Sequence, residues 1–441
     1  MVINQTHAIR DALALQRTGT SFEMGATVAQ MEKNCFERGT SGSFDFLGKV
    51  PQLLRRKTST GWFLPQIDGL RFIAILFVVI SHVVIYTTDL TQTNDVRWLE
   101  VARLNLARGV ELFFVISGFV IAMPFVNAAR GDKPQVRLSE YFLRRLTRLE
   151  PPFLVAMFLT FAALVLVHGS AARPLLGHML ATCTYTHGLI YRSKSPIAFI
   201  TWSLEIEVQF YIVAPVILRL LRLSRLPRRL VLALVGLTAA GATAFLSSRS
   251  SYTTVILPAW LSFFVSGIIV ADLAQEANFW TQKLRSFYWD AFGIVAAVVA
   301  FALLNDSWAN GPAGALLYGI CLLAAFRGKI LSSFLSLSWI TATGGMCYTI
   351  YLFHEPAVYF LGHITRLAFR GRDLLWNLPV QFALMFPLLF VVCSALFLIL
   401  EKPCMNKHWP RDLASWVRCR RAFAKRLTSV QRSERAQTPL L

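Results

Sequence analysis

Apolar blocks of bilayer length recur along this chain, and they decide which solvent it folds in. A membrane-crossing helix needs about 20 mostly apolar residues, in a range of about 17–25. Ten such runs occur, at roughly 69–88, 109–127, 152–168, 199–218, 230–247, 253–271, 288–304, 311–326, 338–364 and 377–400. The eighth is short, and the ninth is either long and tilted or broken near Pro356. Of 441 residues, 55% are hydrophobic and only 15% charged. A soluble domain holds roughly half apolar and about a quarter charged residues. Water-soluble, disordered, collagenous and coiled-coil chains are thereby excluded. The expected fold class is all-α: a polytopic integral membrane protein with about ten transmembrane helices.

The net charge of +20 would point to nucleic acid in a soluble protein. Here it follows the excess of Lys and Arg in cytoplasmic loops, and no nucleic-acid partner is expected. With the N-terminus inside, the inner loops hold 15 Lys/Arg and the longer outer loops 10. Lys49, Arg55, Arg56 and Lys57 precede the first span, and residues 402–441 carry ten Lys/Arg against two Asp/Glu. Both termini therefore read as cytoplasmic, with Arg366, Arg370 and Arg372 in the last outer loop as the dissenting segment. Residues 1–66 are polar and read as a flexible tail, 67–403 as the membrane domain and 404–441 as a basic tail. The seven scattered cysteines show no CxxC pair or His/Cys spacing, so neither a disulfide framework nor a metal site is signalled.

Ionisable groups inside apolar spans are costly and mark function. Arg71 and His82 lie eleven residues apart on the first span. At 100° per residue they share a helix face, about 16 Å apart along the axis. Asp68 reads as capping this helix and pairing with Arg71 at i,i+3. The second span carries Glu111, near its outer boundary and open to hydration, and Ser117-Gly118, small enough for close helix packing. Arg145 and Arg148 share a face and either anchor the chain or grip phosphates through bidentate hydrogen bonds. On the fourth span Glu205 and Glu207 point about 200° apart, while Ser203, Glu207 and Tyr211 line one face beside Trp202. Tyr351 and His354 share a face of the ninth, where His354 is either an acid/base group or a helix-to-helix bond. The other histidines (7, 168, 178, 187, 363 and 408) read as solvated.

Taken in order, these segments resemble the acyltransferase-3 family of integral membrane acyltransferases, which includes bacterial enzymes that O-acetylate surface polysaccharides and nodulation factors. The resemblance runs from about Asp68 to Pro403. The family's Arg/Lys-x10-His element falls on Arg71 and His82, its Ser-Gly-Phe stretch on Phe113 to Phe119, and its Arg-x-x-Arg element on Arg145 and Arg148. Its Trp-Ser-Leu-x-x-Glu-x-x-Phe-Tyr element runs from Trp202 to Tyr211 and places the family glutamate at Glu207. Tyr348, Tyr351, Leu352 and His354 match its Tyr-x-x-Tyr-Leu-x-His element, and Glu401 to Pro403 its closing Glu-Lys-Pro. Glu111 stands where the family usually has Asp, Cys347 where Ser is common, and Glu205 is an additional acid.

The resemblance implies transfer of an acyl group, acetyl foremost, from cytoplasmic acyl-CoA to a hydroxyl of a glycan, glycolipid or polysaccharide. It implies a multi-pass protein of the inner (plasma) membrane with acetyl-CoA as co-substrate and no metal. Arg71, Arg145 and Arg148 would bind the donor. His82 would act as base with Glu207 as its catalytic partner. Glu111, Ser117, Trp202, Tyr211, Tyr351 and His354 would bind the acceptor. The soluble esterase-like domain of some members is not recognised after residue 403, so a step that needs it is expected to fall to a separate periplasmic partner. The 16 Å reach from Arg71 to His82, about the length of an extended pantetheine arm, agrees with this assignment. A proton-coupled secondary transporter using the same His and Glu residues is the alternative, although no transporter-type repeat occurs.

Overall fold

The computed structural model describes residues 43–56, 63–91, 97–131, 133–166, 169, 171–247, 255–276, 279–280, 285–303, 311–371, 373–406 and 409. Most of the two expected tails lies outside these residues, as do His7, His168 and His408. Met1–Leu53 and Leu54–Leu441 form separate compact units. In the first, the described residues belong to helix α1 (Ser43–Leu54).

Every described element of the second unit is helical. In chain order these are α2 (Pro65–Thr91), α3 (Arg97–Ala107), α4 (Gly109–Ala129), α5 (Leu138–Leu166), α6 (Ala172–Cys183), α7 (His187–Tyr191), α8 (Thr201–Ile217) and α9 (Arg225–Ser247). They continue as α10 (Leu261–Leu273), α11 (Phe287–Val298), α12 (Gly311–Arg327), α13 (Ile330–Leu335), α14 (Ser338–Gly345), α15 (Cys347–Thr365), α16 (Leu374–Leu396) and α17 (Lys402–Cys404). Most of the described residues of each of the ten apolar runs are helical. Among the described residues, five helical stretches are long and apolar enough to cross a membrane: Pro65–Asp89, Val101–Ala129, Leu138–Leu166, Arg225–Phe245 and Leu374–Cys404. Leu261–Leu273, Phe287–Phe301 and Gly311–Arg327 are shorter apolar helices.

Three segments differ from the sequence reading. The ninth run breaks at Met346, between α14 and α15, whereas Pro356 sits inside an unbroken α15. The loop ahead of Pro151 is already helical from Leu138, which puts Arg145 and Arg148 on turns of α5. The segments read as outer loops fold in part as α3, α6 and α7.

The core is centred on the crossing of α4 and α10. A Cβ on Gly118 would collide with the Phe264 carbonyl, and one on Gly267 with the Val115 carbonyl. Lipid offers no hydrophobic drive for helix association, so such backbone approach and its dispersion contacts do that work. Phe264 stacks on Phe210 at 4.0 Å and lies 4.8 Å from Phe114, which draws α8 onto the same centre. On α5 and α16, Phe158, Leu159, Leu375 and Val391 are exposed, as helices facing hydrocarbon require.

Candidate active site

Asp68 and Arg71 occupy the start of α2, one turn apart on one face. Asp68 is fully buried because α14 crosses there; a Cβ on Gly344 would collide with the Asp68 carbonyl. A buried carboxylate requires compensation. Arg71 Nη1 donates to Oδ1 at 2.9 Å and Arg56 Nε to Oδ2 at 2.7 Å. Glu401, equally buried, accepts from the Thr349 hydroxyl at 2.6 Å and amide at 3.1 Å, and pairs with Arg148 at 3.5 Å. The Arg145 guanidinium lies 3.7 Å above the Tyr141 ring and 5.3 Å from that of Tyr211. Its Nη1 donates to the Tyr141 carbonyl at 3.0 Å.

These contacts leave positive charge in excess. Arg56, ahead of the first span, is pulled down to about 10 by burial and then by the charge of Arg71, against the pull of Asp68. Arg148 Nε is buried without a hydrogen-bond partner. Crowded, partly desolvated guanidiniums with open donors suit an anion with several oxygens.

Farther along α2, His82 Nδ1 lies 2.9 Å from the Val78 carbonyl. On α15, His354 Nδ1 lies 2.8 Å from the Tyr351 carbonyl and 3.0 Å from that of Ile350. Carbonyl oxygens only accept, so in both neutral rings Nδ1 carries the proton and Nε2 the lone pair. The rings meet edge to face, centroids 4.7 Å apart at 85°. His354 is fully buried and its Nε2 has no hydrogen-bond partner. His354 thus packs against α2 without a hydrogen bond to it, and its Nε2 is left as an unpartnered nitrogen.

Glu207 is placed by α4 and by its own helix. The Ser117 hydroxyl donates to it at 2.5 Å, and Tyr211, one turn on, bonds it as well. Arg71 is within its electrostatic reach, whereas no hydrogen bond joins it to His82. Ser117-Gly118 therefore serves two purposes: Gly118 closes the α4/α10 crossing and Ser117 holds the carboxylate. The Tyr351 hydroxyl donates to the Ile200 carbonyl and shares a 2.9 Å bond with the Ser203 hydroxyl. Trp202 packs 5.2 Å from Trp260 and 6.4 Å from Phe114.

Glu111 departs from expectation. It is buried, ion-paired with Arg108 at 3.4 Å and bonded by Tyr318. The reason is that α4 starts inside the protein: Gly109 lies against the Ala74 carbonyl of α2, in the middle of that helix. His178 and His187, read as solvated, are also corrected. His187 is fully buried and its Nε2 lies 2.8 Å from His178 Nδ1. Glu205 is a local anchor, accepting from the Gly188 amide at 2.8 Å and from that of His187. Arg56, Tyr141 and Thr349 escaped the sequence reading of the site. Arg56 stands in a polar stretch with no periodicity, and the other two meet their partners only through helix packing.

An acyltransferase domain profile, that of the acyltransferase-3 family, matches residues 64–398. The chain belongs to the acyltransferase-3 family. It is similar to the O-acetyltransferase OatA of Staphylococcus aureus (strain NCTC 8325 / PS 47), at 26% identity over 329 residues, covering 68% of this chain and 51% of the relative. OatA of Staphylococcus aureus (strain COL) matches with the same identity and coverage. The chain thus spans about half the length of these curated relatives. No solved structure matches.

Proposed function

We propose that this protein is a multi-pass inner-membrane O-acyltransferase, with about ten spans and both termini cytoplasmic. It moves an acyl group, acetyl foremost, from cytoplasmic acyl-CoA to a hydroxyl of a glycan, glycolipid or polysaccharide. The observation that carries this reading is the pairing of His82 with His354, each with Nδ1 tied down and Nε2 open, on a helix that begins in a cluster of arginines. Phosphate-rich CoA suits Arg71, Arg145, Arg148 and Arg56, and its pantetheine arm spans the axial distance to His82 of about 16 Å. Family membership and the O-acetyltransferase relatives favour this over the transporter alternative.

In the proposed reaction His82 Nε2 removes the proton of the acceptor hydroxyl as that oxygen attacks the thioester carbonyl. The C–S bond breaks, and the departing thiolate recovers the proton from the imidazolium and leaves as CoA thiol. Glu207 lowers the energy of the transient imidazolium through its field rather than by a direct bond. Ser117, Trp202, Tyr211, Tyr351, His354 and Glu111 shape the acceptor pocket or hold residues that do. Residues 1–66 and 404–441 act as cytoplasmic tails, and a separate periplasmic partner completes any step beyond this domain.

The test is purified full-length protein in lipid vesicles with labelled acetyl-CoA and envelope glycans. Acetyl-dependent CoA release and label in the glycan are expected. Arg145→Ala should raise the acetyl-CoA KM about tenfold or more, since a charge-assisted bond contributes roughly 1.5–3 kcal/mol. Arg145→Lys should restore affinity only in part. A correctly inserted wild-type protein that leaves acetyl-CoA intact would refute the reading.

A further inference from the structure

Among the described residues, the segment between α5 and α8 holds two histidines and a lysine that the proposed reaction does not use. His187 Nδ1 lies 3.1 Å from the Ser193 carbonyl, so it carries the ring proton and Nε2 has the lone pair. That lone pair accepts from His178 Nδ1–H at 2.8 Å. By elimination the lone pair of His178 is on Nε2, which makes no hydrogen bond, on a ring that is only half-buried. The protonation states form one directed chain, from His178 through His187 to a backbone carbonyl. Tyr191 lies tilted 4.1 Å from the His178 ring and stacks 4.7 Å from that of His187, and the residue is exposed.

The peptide that supplies the Ser193 carbonyl leads directly into Lys194. Its ammonium lies 4.2 Å from the exposed Phe199 ring and 5.0 Å from Trp202, and no carboxylate is paired with it among the described residues. Burial lowers its pKa, so an anion would be favoured there. Glu205 ties the segment to α8 through the amides of His187 and Gly188, two residues from Glu207. An acceptor nitrogen, the exposed residues Tyr191 and Phe199 and an unpaired cation lie along one stretch of chain anchored to α8. The ligand that satisfies all three has hydroxyls, an apolar C–H face and negative charge.

We propose that the α6–α7 segment is an acceptor subsite for an acidic saccharide, which donates a hydroxyl hydrogen bond to His178 Nε2 and places its anionic group on Lys194. The inference rests on the acyltransferase reading above and names the acceptor class. His178 and Lys194 are binding residues in this assignment, and His187 is a positioning residue that acts through His178.

The test uses the full-length protein in membranes of its own cells, given labelled acetyl-CoA, with glycans separated by anion exchange and acetyl-CoA affinity measured in parallel. His178→Ala and Lys194→Ala should each reduce label in the acidic glycan at least tenfold while acetyl-CoA affinity stays within twofold. Lys194→Arg should recover most of the transfer. His187→Gln, which can both donate to Ser193 and accept from His178, should stay near wild type. Wild-type labelling by either alanine variant at normal membrane levels would overturn the proposal. So would label confined to neutral glycan, or a parallel loss of acetyl-CoA affinity. A wild-type protein that moves no label refutes the acyltransferase reading itself, a separate outcome visible before any variant is made.

Discussion

Two histidine pairs occur among the described residues, and they are built on opposite plans. In the α2/α15 pair each ring is tied by Nδ1 to a carbonyl one turn back on its own helix, and the rings touch without a hydrogen bond between them. Two basic nitrogens survive. In the α6/α7 pair the rings bond each other at 2.8 Å, which occupies the Nε2 of His187 and leaves only that of His178. The difference lies in what the backbone offers. On α2 and α15 the i−4 carbonyl accepts from Nδ1, so the tautomer is set locally, whereas His178 on α6 turns its Nδ1 to His187 instead. A short helix followed by a loop lacks that carbonyl, and the tautomer of His187 depends on Ser193, six residues ahead. Such a pair needs an outside anchor, and Glu205 supplies it.

The comparison is broken most sharply at His82. If the α2/α15 pair performs the chemistry, His82→Ala should lower the transfer rate by about 10²–10⁴ while leaving acetyl-CoA binding nearly intact. A normally inserted His82→Ala protein with wild-type transfer would move the base to His354. Next in size is the anchor. Glu205→Ala leaves the buried amides of His187 and Gly188 unsatisfied, at about 1–3 kcal/mol for a lost buried partner. Amide exchange across 187–193 should accelerate roughly tenfold or more, and exchange around His354 should not change. Equal acceleration in both regions would show that the two pairs are not independently supported.

The smallest effect is a pH dependence confined to the loop pair. Burial, and then the neighbouring His178, hold the His187 imidazole below the ordinary histidine range, against the Ser193 bond. The folded form therefore favours the neutral ring, and unfolding frees a ring that binds protons more readily. Its stabilising contribution is complete above the ordinary histidine value of about 6.5 and is lost as pH falls through that value toward the depressed one. Exchange protection over 178–193 should decline between about pH 7 and pH 5 in wild type and stay flat in His187→Gln. A flat wild-type profile would show that the His187 ring does not govern the segment.

Much of the site was legible where helical periodicity applied. Arg71 and His82, Arg145 and Arg148, and Glu207 and Tyr211 are each fixed on one face by spacing alone, and Asp68 does pair with Arg71 at i,i+3. The ninth run was legible as apolar, but its break fell at Met346, where α14 meets α15, and not at its proline. Loops were the least legible. His178 and His187 are nine residues apart, a spacing that corresponds to no regular face, and their meeting depends on the turn between α6 and α7. Glu111 looked hydrated because its position near a span boundary says nothing of α3 folding back beside α2.

By itself the sequence determined that the chain is helical and lipid-facing, where its apolar blocks lie, and which polar residues share a helix face. Those properties follow from hydropathy and a 3.6-residue period, both of which act along the chain. The tertiary structure alone decided which polar groups meet. Arg148 reaches Glu401 across 253 positions, Ser117 reaches Glu207 across 90, and His82 finds the edge of His354 on another helix. Those meetings depend on where helices approach closely enough for backbones to touch, as at Gly118 with Phe264 and Gly344 with Asp68. Close approach is a property of two surfaces packed together, and one-dimensional periodicity carries no record of it.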